Sequence, residues 1–304
     1  LIQEFTGPEG HRTAFRIAGH GPAKVLLLHA LTGGPHAADA PGAKGWWAPM
    51  FKAEAPLVAE AATVWTPNLA GSCYGSGGPE PAGGYSTRYQ AEILARWLEA
   101  QDLRFEALLG GSLGGMVALE LALLAPDRFR SVGVIGCGGR ADAWLWGTNE
   151  AQRAILASPS LADGEAISLA RRVAMLTFRS PQGLAERFNT AASIREWLAF
   201  HGQALADRFT RAAYVNLLDA MDGHDLGRDR GGLAAALGRL GAPLHVLGLE
   251  TDQLFSRASL EELMGAAREA GRLGCARWVQ SPHGHDAFLI EWDQVEAWVR
   301  EVLP

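Results

Sequence analysis

Cysteine is scarce in this chain of 304 residues. Cys73, Cys137 and Cys275 form an odd, widely spaced set without a CxxC pair, so neither a disulfide framework nor a zinc site is expected. Long apolar runs are also missing, and none reaches the roughly 18 residues of a membrane-spanning helix. The segment from Leu1 to Gly10 lacks the basic start and apolar stretch of a signal peptide. No Lys/Arg block occurs, and the net charge of −6 gives no electrostatic reason to bind nucleic acid or an anionic membrane. A cytoplasmic protein without nucleic-acid or membrane partners is the expectation. With 48% hydrophobic and 20% charged residues, the chain can bury a sizeable core. Its length suits one large domain, or a core domain carrying an insertion.

Short apolar runs alternate with helical patterns. Lys24 to Leu28 reads as a buried strand that runs into the loop His29–Ala30–Leu31–Thr32–Gly33–Gly34. Ala62 to Trp65 is a second strand, closed by Pro67. From Thr87 to Gln101, Ile93, Leu94, Trp97 and Leu98 share one helical face. Phe105 to Leu109 is a third strand, followed by Gly110–Gly111–Ser112–Leu113–Gly114–Gly115 and a helix from Met116 to Leu124. Arg130 to Ile135 is a fourth strand. After Gly139 the rhythm changes, and Asp142 to about Asp225 is helix-like, with Trp144, Trp146 and Trp197 and no convincing strand. Strands resume at Pro243–Gly248 and Ala276–Val279, with helices at about Ser259–Ala270 and Trp292–Val302. This order predicts an α/β fold: a mostly parallel sheet flanked by helices, with core segments 1–139 and 226–304 and a helical lid inserted at 140–225.

The chemistry concentrates at three places. Gly110-Gly111-Ser112-Leu113-Gly114 matches the G-x-S-x-G nucleophile elbow, with a strand before it and a helix after it. A sharp turn there lifts the hydroxyl above the sheet and aims a helix N-terminus at developing negative charge. A serine hydroxyl is a weak nucleophile, so a histidine must take its proton and an acid must orient that histidine. Beyond the late strands stand Glu250 and Asp252 as candidate acids, and His283 and His285 as candidate bases. The His-x-His-Asp string has no further ligand cluster, so no metal is expected. Oxyanion donors are expected from the backbone N–H of Leu113, after the nucleophile, and of Leu31, in the loop after the first predicted strand.

These segments together resemble the homoserine O-acetyltransferases, members of the α/β-hydrolase superfamily. The similar stretches are His29–Gly33, Gly71–Ser76, Gly110–Met116, Ala170–Arg172 with Met175–Ser180, Ala220–Asp222 with Asp225–Gly227, Thr251–Phe255 and Gly284–Leu289. They run in order over nearly the whole chain. The resemblance implies an α/β-hydrolase fold with Ser112, Asp252 and His285 as its triad. It implies acetyl transfer from acetyl-CoA, a substrate and not a bound cofactor, to homoserine or a related hydroxyl amino acid through an acyl-serine. Arg179 would then hold the acceptor carboxylate and Asp286 its ammonium group. A homodimer through the lid helices is left open. The sequence departs from the family in the stretch Ser158–Glu165, shorter here, at Phe178 where tyrosine is common, and at Ser256 where proline is usual. An esterase that lets water deacylate Ser112 is the alternative, and retention of all three triad types speaks against a non-catalytic binding protein.

Overall fold

The computed structural model describes residues 2–7 and 10–304; Leu1, Pro8 and Glu9, part of the segment read above for a leader, lie outside the described residues. In chain order the regular elements are β1 (Gln3–Thr6), β2 (Arg12–Gly19), β3 (Ala23–Leu28), β4 (Ala62–Pro67), α1 (Thr87–Ala100), β5 (Phe105–Gly111), α2 (Leu113–Leu124) and β6 (Phe129–Ile135). Then come α3 (Ala143–Leu156), α4 (Asp163–Phe178), α5 (Pro181–Arg187), α6 (Ala191–Ala206), α7 (Arg211–Asp222) and α8 (Leu233–Leu237). The chain finishes with β7 (Leu244–Leu249), α9 (Arg257–Glu269), β8 (Leu273–Val279), a 3-10 turn at Gly284–Leu289 and α10 (Trp292–Val302). The strands form one sheet in the order β1-β2-β4-β3-β5-β6-β7-β8. β1 and β2 pair antiparallel, as do β2 and β4, and every later pairing is parallel.

The inner strands are apolar along their length because helices cover both faces. In β3, Val25 and Leu27 point into one core and Leu26 and Leu28 into the other, the period of two that a strand imposes. One core packs α1 and α2 against the sheet. The other gathers Trp47, Trp298 and Val299. Helix α2 is buried from Leu113 to Ala122, so it carries no polar face, and only its C-terminal end at Leu123 and Leu124 reaches the surface.

Between β6 and β7 the chain leaves the sheet to form α3 to α7. The outgoing and returning strands of this excursion are tied at its base. Arg140 and Asp225 form an antiparallel bridge. Ala141 N–H donates to His224 O (2.8 Å) and Leu226 N–H to Gly139 O (2.9 Å). The five helices are therefore anchored at one neck. β1 and β2 were not anticipated from sequence; β1 lies at the sheet edge and is mostly exposed, so its sequence has no apolar face to show.

Candidate active site

Ser112 stands between β5 and α2 at φ 55, ψ −126, a region that costs a non-glycine residue strain energy. Close packing around the turn explains its glycines. A Cβ on Gly110 would lie 2.3 Å from Gly114 O, and one on Gly114 would lie 2.3 Å from Leu28 O. A Cβ on Gly115 would strike Cys137 Sγ at 2.6 Å. The elbow thus wedges α2 against β3 and β6, and only residues without side chains permit it. Ser112 Oγ makes no hydrogen bond among the described residues. It lines one cavity together with His285, and such contacts are often open before substrate binds.

Asp252 follows β7 and is almost fully buried. Its Oδ1 accepts from Leu254 N–H (2.7 Å) and Phe255 N–H (3.0 Å), and its Oδ2 takes His285 Nδ1 at 2.7 Å. With both oxygens fixed, the carboxylate fixes the imidazole, and His285 presents Nε2 as its free nitrogen. Phe178, Phe255 and Phe288 surround the ring, at centroid distances of 5.8, 5.5 and 5.8 Å. Burial among them works against a charged imidazole, but the charge and hydrogen bond of Asp252, with Asp286 adding, outweigh it and raise the His285 pKa above 6.5. Glu250 instead pairs with Arg257 at the surface, 2.7 Å away. His283 has only a backbone hydrogen bond, to Ser281 Oγ.

The loop after β3 brings Leu31 over the elbow. Among the described residues, neither Leu31 N–H nor Leu113 N–H has an acceptor, so both are available to an oxyanion. His29 holds this loop in place. Fully buried, it bonds Ala30 O through Nδ1 (2.8 Å) and accepts Leu69 N–H at Nε2 (3.0 Å). Burial pushes its pKa down to about 4, so it serves as a neutral pin. From the inserted helices, Arg208 bonds Thr32 O (2.7 Å) and Tyr74 Oη (2.7 Å), tying the same loop to the excursion. Sequence reasoning gave neither residue a role.

An arginine other than the one expected lines the cavity at Ser112. Arg179 does not line the cavity at Ser112. As the C-cap of α4 it leaves the helix in an extended conformation and binds Asp286 Oδ2 through Nε at 2.9 Å. Its guanidinium is directed to Asp286 and to the Trp197 ring, 5.7 Å away, and not into that cavity. The arginine at the cavity is Arg171. It lines the cavity with Ser112, Phe178, His285 and Asp286, and its guanidinium lies 4.9 Å from the Phe178 ring. Burial lowers its pKa from the ordinary arginine value, yet arginine stays charged, and no carboxylate lies within ion-pair distance of it among the described residues. Helical spacing carried the clue, because Arg171 and Phe178 are seven residues apart on α4 and so share a face. Asp286 does line the cavity, and its Oδ1 has no hydrogen-bond partner among the described residues.

Among the described residues no group of three or more His, Cys, Asp and Glu could hold a metal, and no helix is long and apolar enough to cross a membrane. Residues 24–291 match the alpha/beta hydrolase fold family. Among curated proteins, the homoserine O-acetyltransferase of Thermus thermophilus is 37% identical, over 92% of this chain and 81% of its own length. That of Nostoc punctiforme is 35% identical, over 93% and 87%. Among solved structures, a homoserine O-acetyltransferase from Staphylococcus aureus superposes with TM-score 0.82 at 23% identity, covering 98% of this chain and 94% of that one. Esterase E22 superposes with TM-score 0.85 at 15% identity, over 100% and 99%. At those identities the two structures speak for the fold alone.

Proposed function

The chain belongs to the homoserine O-acetyltransferase family of the alpha/beta hydrolases, and from that premise we propose that it moves an acetyl group from acetyl-CoA to the hydroxyl of homoserine through an acyl-Ser112 intermediate. Ser112 Oγ attacks the thioester carbonyl while His285 Nε2 takes its proton. The C–S bond breaks, and the thiol leaves with that proton. The acceptor hydroxyl then gives its proton to His285 and attacks the acyl carbon. Release of Ser112 returns the proton to Oγ, and the O-acetyl product departs. Leu31 N–H and Leu113 N–H hold the oxyanion in both halves, and Asp252 keeps the imidazole oriented and stabilises it when charged.

One observation carries the choice of acceptor. A desolvated guanidinium, Arg171, with no carboxylate partner, shares a cavity of about 60 Å³ with Ser112, His285 and the free oxygen of Asp286. A cation and an anion fixed on either side of a nucleophile suit a zwitterion that offers a hydroxyl between them, and guanidinium can grip a carboxylate with two bonds. Arg179 then acts by holding Asp286 in place.

The test mixes enzyme with acetyl-CoA, with and without L-homoserine, and follows free thiol and O-acetylhomoserine. Thiol release should be slow without the amino acid, accelerate with it, and match product formed. Steady thiol release indifferent to homoserine and serine would transfer the reading to an esterase on the same scaffold.

A further inference from the structure

Two cavities meet at Ser112, and they differ in chemistry. The first, described above, holds His285, Arg171 and Asp286. The second lies beneath the inserted helices and is walled by Leu31, Phe178, Met221 and Leu254, with Asn149 and Gln152 from α3. All six are buried. Its volume is about 10 Å³, room for roughly one water.

The geometry of acyl transfer decides which cavity takes which group. The leaving sulfur and the attacking hydroxyl oxygen each exchange a proton with His285 Nε2, so both must sit on the His285 side of the acyl carbon. The carbonyl oxygen is held by the N–H groups of Leu31 and Leu113. The remaining substituent of that carbon, the acyl chain, must then point away from His285. Of the two cavities, His285 lines the first and not the second.

We infer that this second chamber is the acyl-group pocket, and that Met221 and Leu254 set the length of the acyl chain to that of acetyl. The inference rests on the proposed roles of Ser112 and His285, and it adds the specificity of the donor. A methyl group is about the size of the space. Each further methylene would have to displace packed side chains. An acyl chain ending in a carboxylate would fare worse, because no cationic side chain lines the chamber. Gln152 is held by two bonds, its Oε1 accepting from Tyr214 Oη (2.7 Å) and its Nε2 donating to Thr148 O (3.0 Å). Asn149 donates Nδ2 to Asp222 Oδ1 (2.7 Å), so an acid lies directly behind it. Arg171, which has no carboxylate partner among the described residues, lies in the other cavity.

Aryl esters test this without CoA or any amino acid. Hydrolysis of p-nitrophenyl acetate, propionate and butyrate is measured for the wild-type protein, Met221→Ala and Leu254→Ala, each checked for folding by circular dichroism. For the wild type, kcat/KM should fall by about tenfold or more per added methylene. Either variant should raise the butyrate-to-acetate ratio by at least about tenfold, with butyryl-CoA following the same trend. Two variants on different elements guard against one failing to fold, and the wild-type profile alone can overturn the inference by being flat. Folded variants that keep the wild-type profile would overturn it too. A shifted ester profile alongside thiol release indifferent to homoserine would keep the acyl pocket and remove the transferase reading.

Discussion

At Asp286 two guanidinium groups approach a single carboxylate, and only Arg179 closes on it. That asymmetry separates the effects of two substitutions. Arg171→Ala should reduce kcat/KM for homoserine by about thirty- to a thousandfold, the equivalent of roughly 2–4 kcal/mol for a buried charged contact. The acyl-enzyme burst with acetyl-CoA alone should persist, because the arginine meets the acceptor and not the acyl group. Equal losses in burst and acceptor use would sink the assignment. The sequence expectation fell on Arg179 because the matching segment alone does not report where α4 ends, and that end turns Arg179 away from the cavity. Asp286 also bears on His285. By stabilising the imidazolium it helps to hold the pKa above 6.5, and the base is needed neutral, so activity must fall as pH drops through that raised value. Asp286→Asn removes a negative charge, which lowers the His285 pKa and moves the acid limb of kcat/KM to lower pH. With p-nitrophenyl acetate, a neutral substrate, the shift is read free of any acceptor effect. An unmoved limb would show that Asp252 alone tunes the ring.

Helix α2 carries a group that the chemistry does not use. Glu120 is buried to 1% exposure in an otherwise apolar helix, and Arg230, from the segment after the inserted helices, meets it at 2.5 Å. Arg230 also bonds Leu226 O, so the pair joins the nucleophile helix to the returning chain. Without Arg230 only the more distant Arg88, 3.8 Å from Glu120 Oε2, faces the buried charge, and Arg230→Ala should cost about 3 kcal/mol in denaturant unfolding, the low end for breaking a buried pair. A loss under about 1 kcal/mol would mean that water reaches Glu120. Elements of this kind differ in how plainly the sequence announces them. β3, β5, β6 and β7 were legible as short apolar runs because both faces of the sheet are covered, and the elbow because a Cβ at Gly110 or Gly114 would lie 2.3 Å from a backbone oxygen. β2 was not, since its first and last residues are exposed and several others only half-buried. The tie of Glu120 to Arg230 spans 110 residues, and no local pattern reports it. The second chamber was invisible for the same reason, because its walls come from the β3 loop, α3, α4, α7 and the acid loop.

Whether the whole molecule transfers or hydrolyses depends on keeping water from the acyl-enzyme, and that depends on the inserted helices holding together. Arg153 on α3 is their clamp: Nη2 reaches Asp219 Oδ1 (2.9 Å) and Asp222 Oδ2 (2.7 Å) on α7, while Nη1 bonds Glu150 (2.8 Å). Asp222 in turn holds Asn149, which walls the chamber beside Ser112. Loosening α3 from α7 therefore opens the route by which water would arrive from above. Arg153→Ala should destabilise the helix pair by about 1.5–3 kcal/mol, the range for hydrogen bonds to charged groups, at sites only partly screened by solvent. Two readouts should move together. Amide exchange in α3 and α7 should quicken while β5 and α2 stay protected, since the neck at Arg140 and Asp225 remains intact. Thiol release from acetyl-CoA without acceptor should rise relative to product formed with homoserine. Arg277→Ala, which removes an exposed pair with Glu301 far from the inserted helices, is the control and should move neither. Faster exchange with an unchanged ratio of hydrolysis to transfer would show that water is excluded by the side chains packed around His285 and not by the closure of the helices.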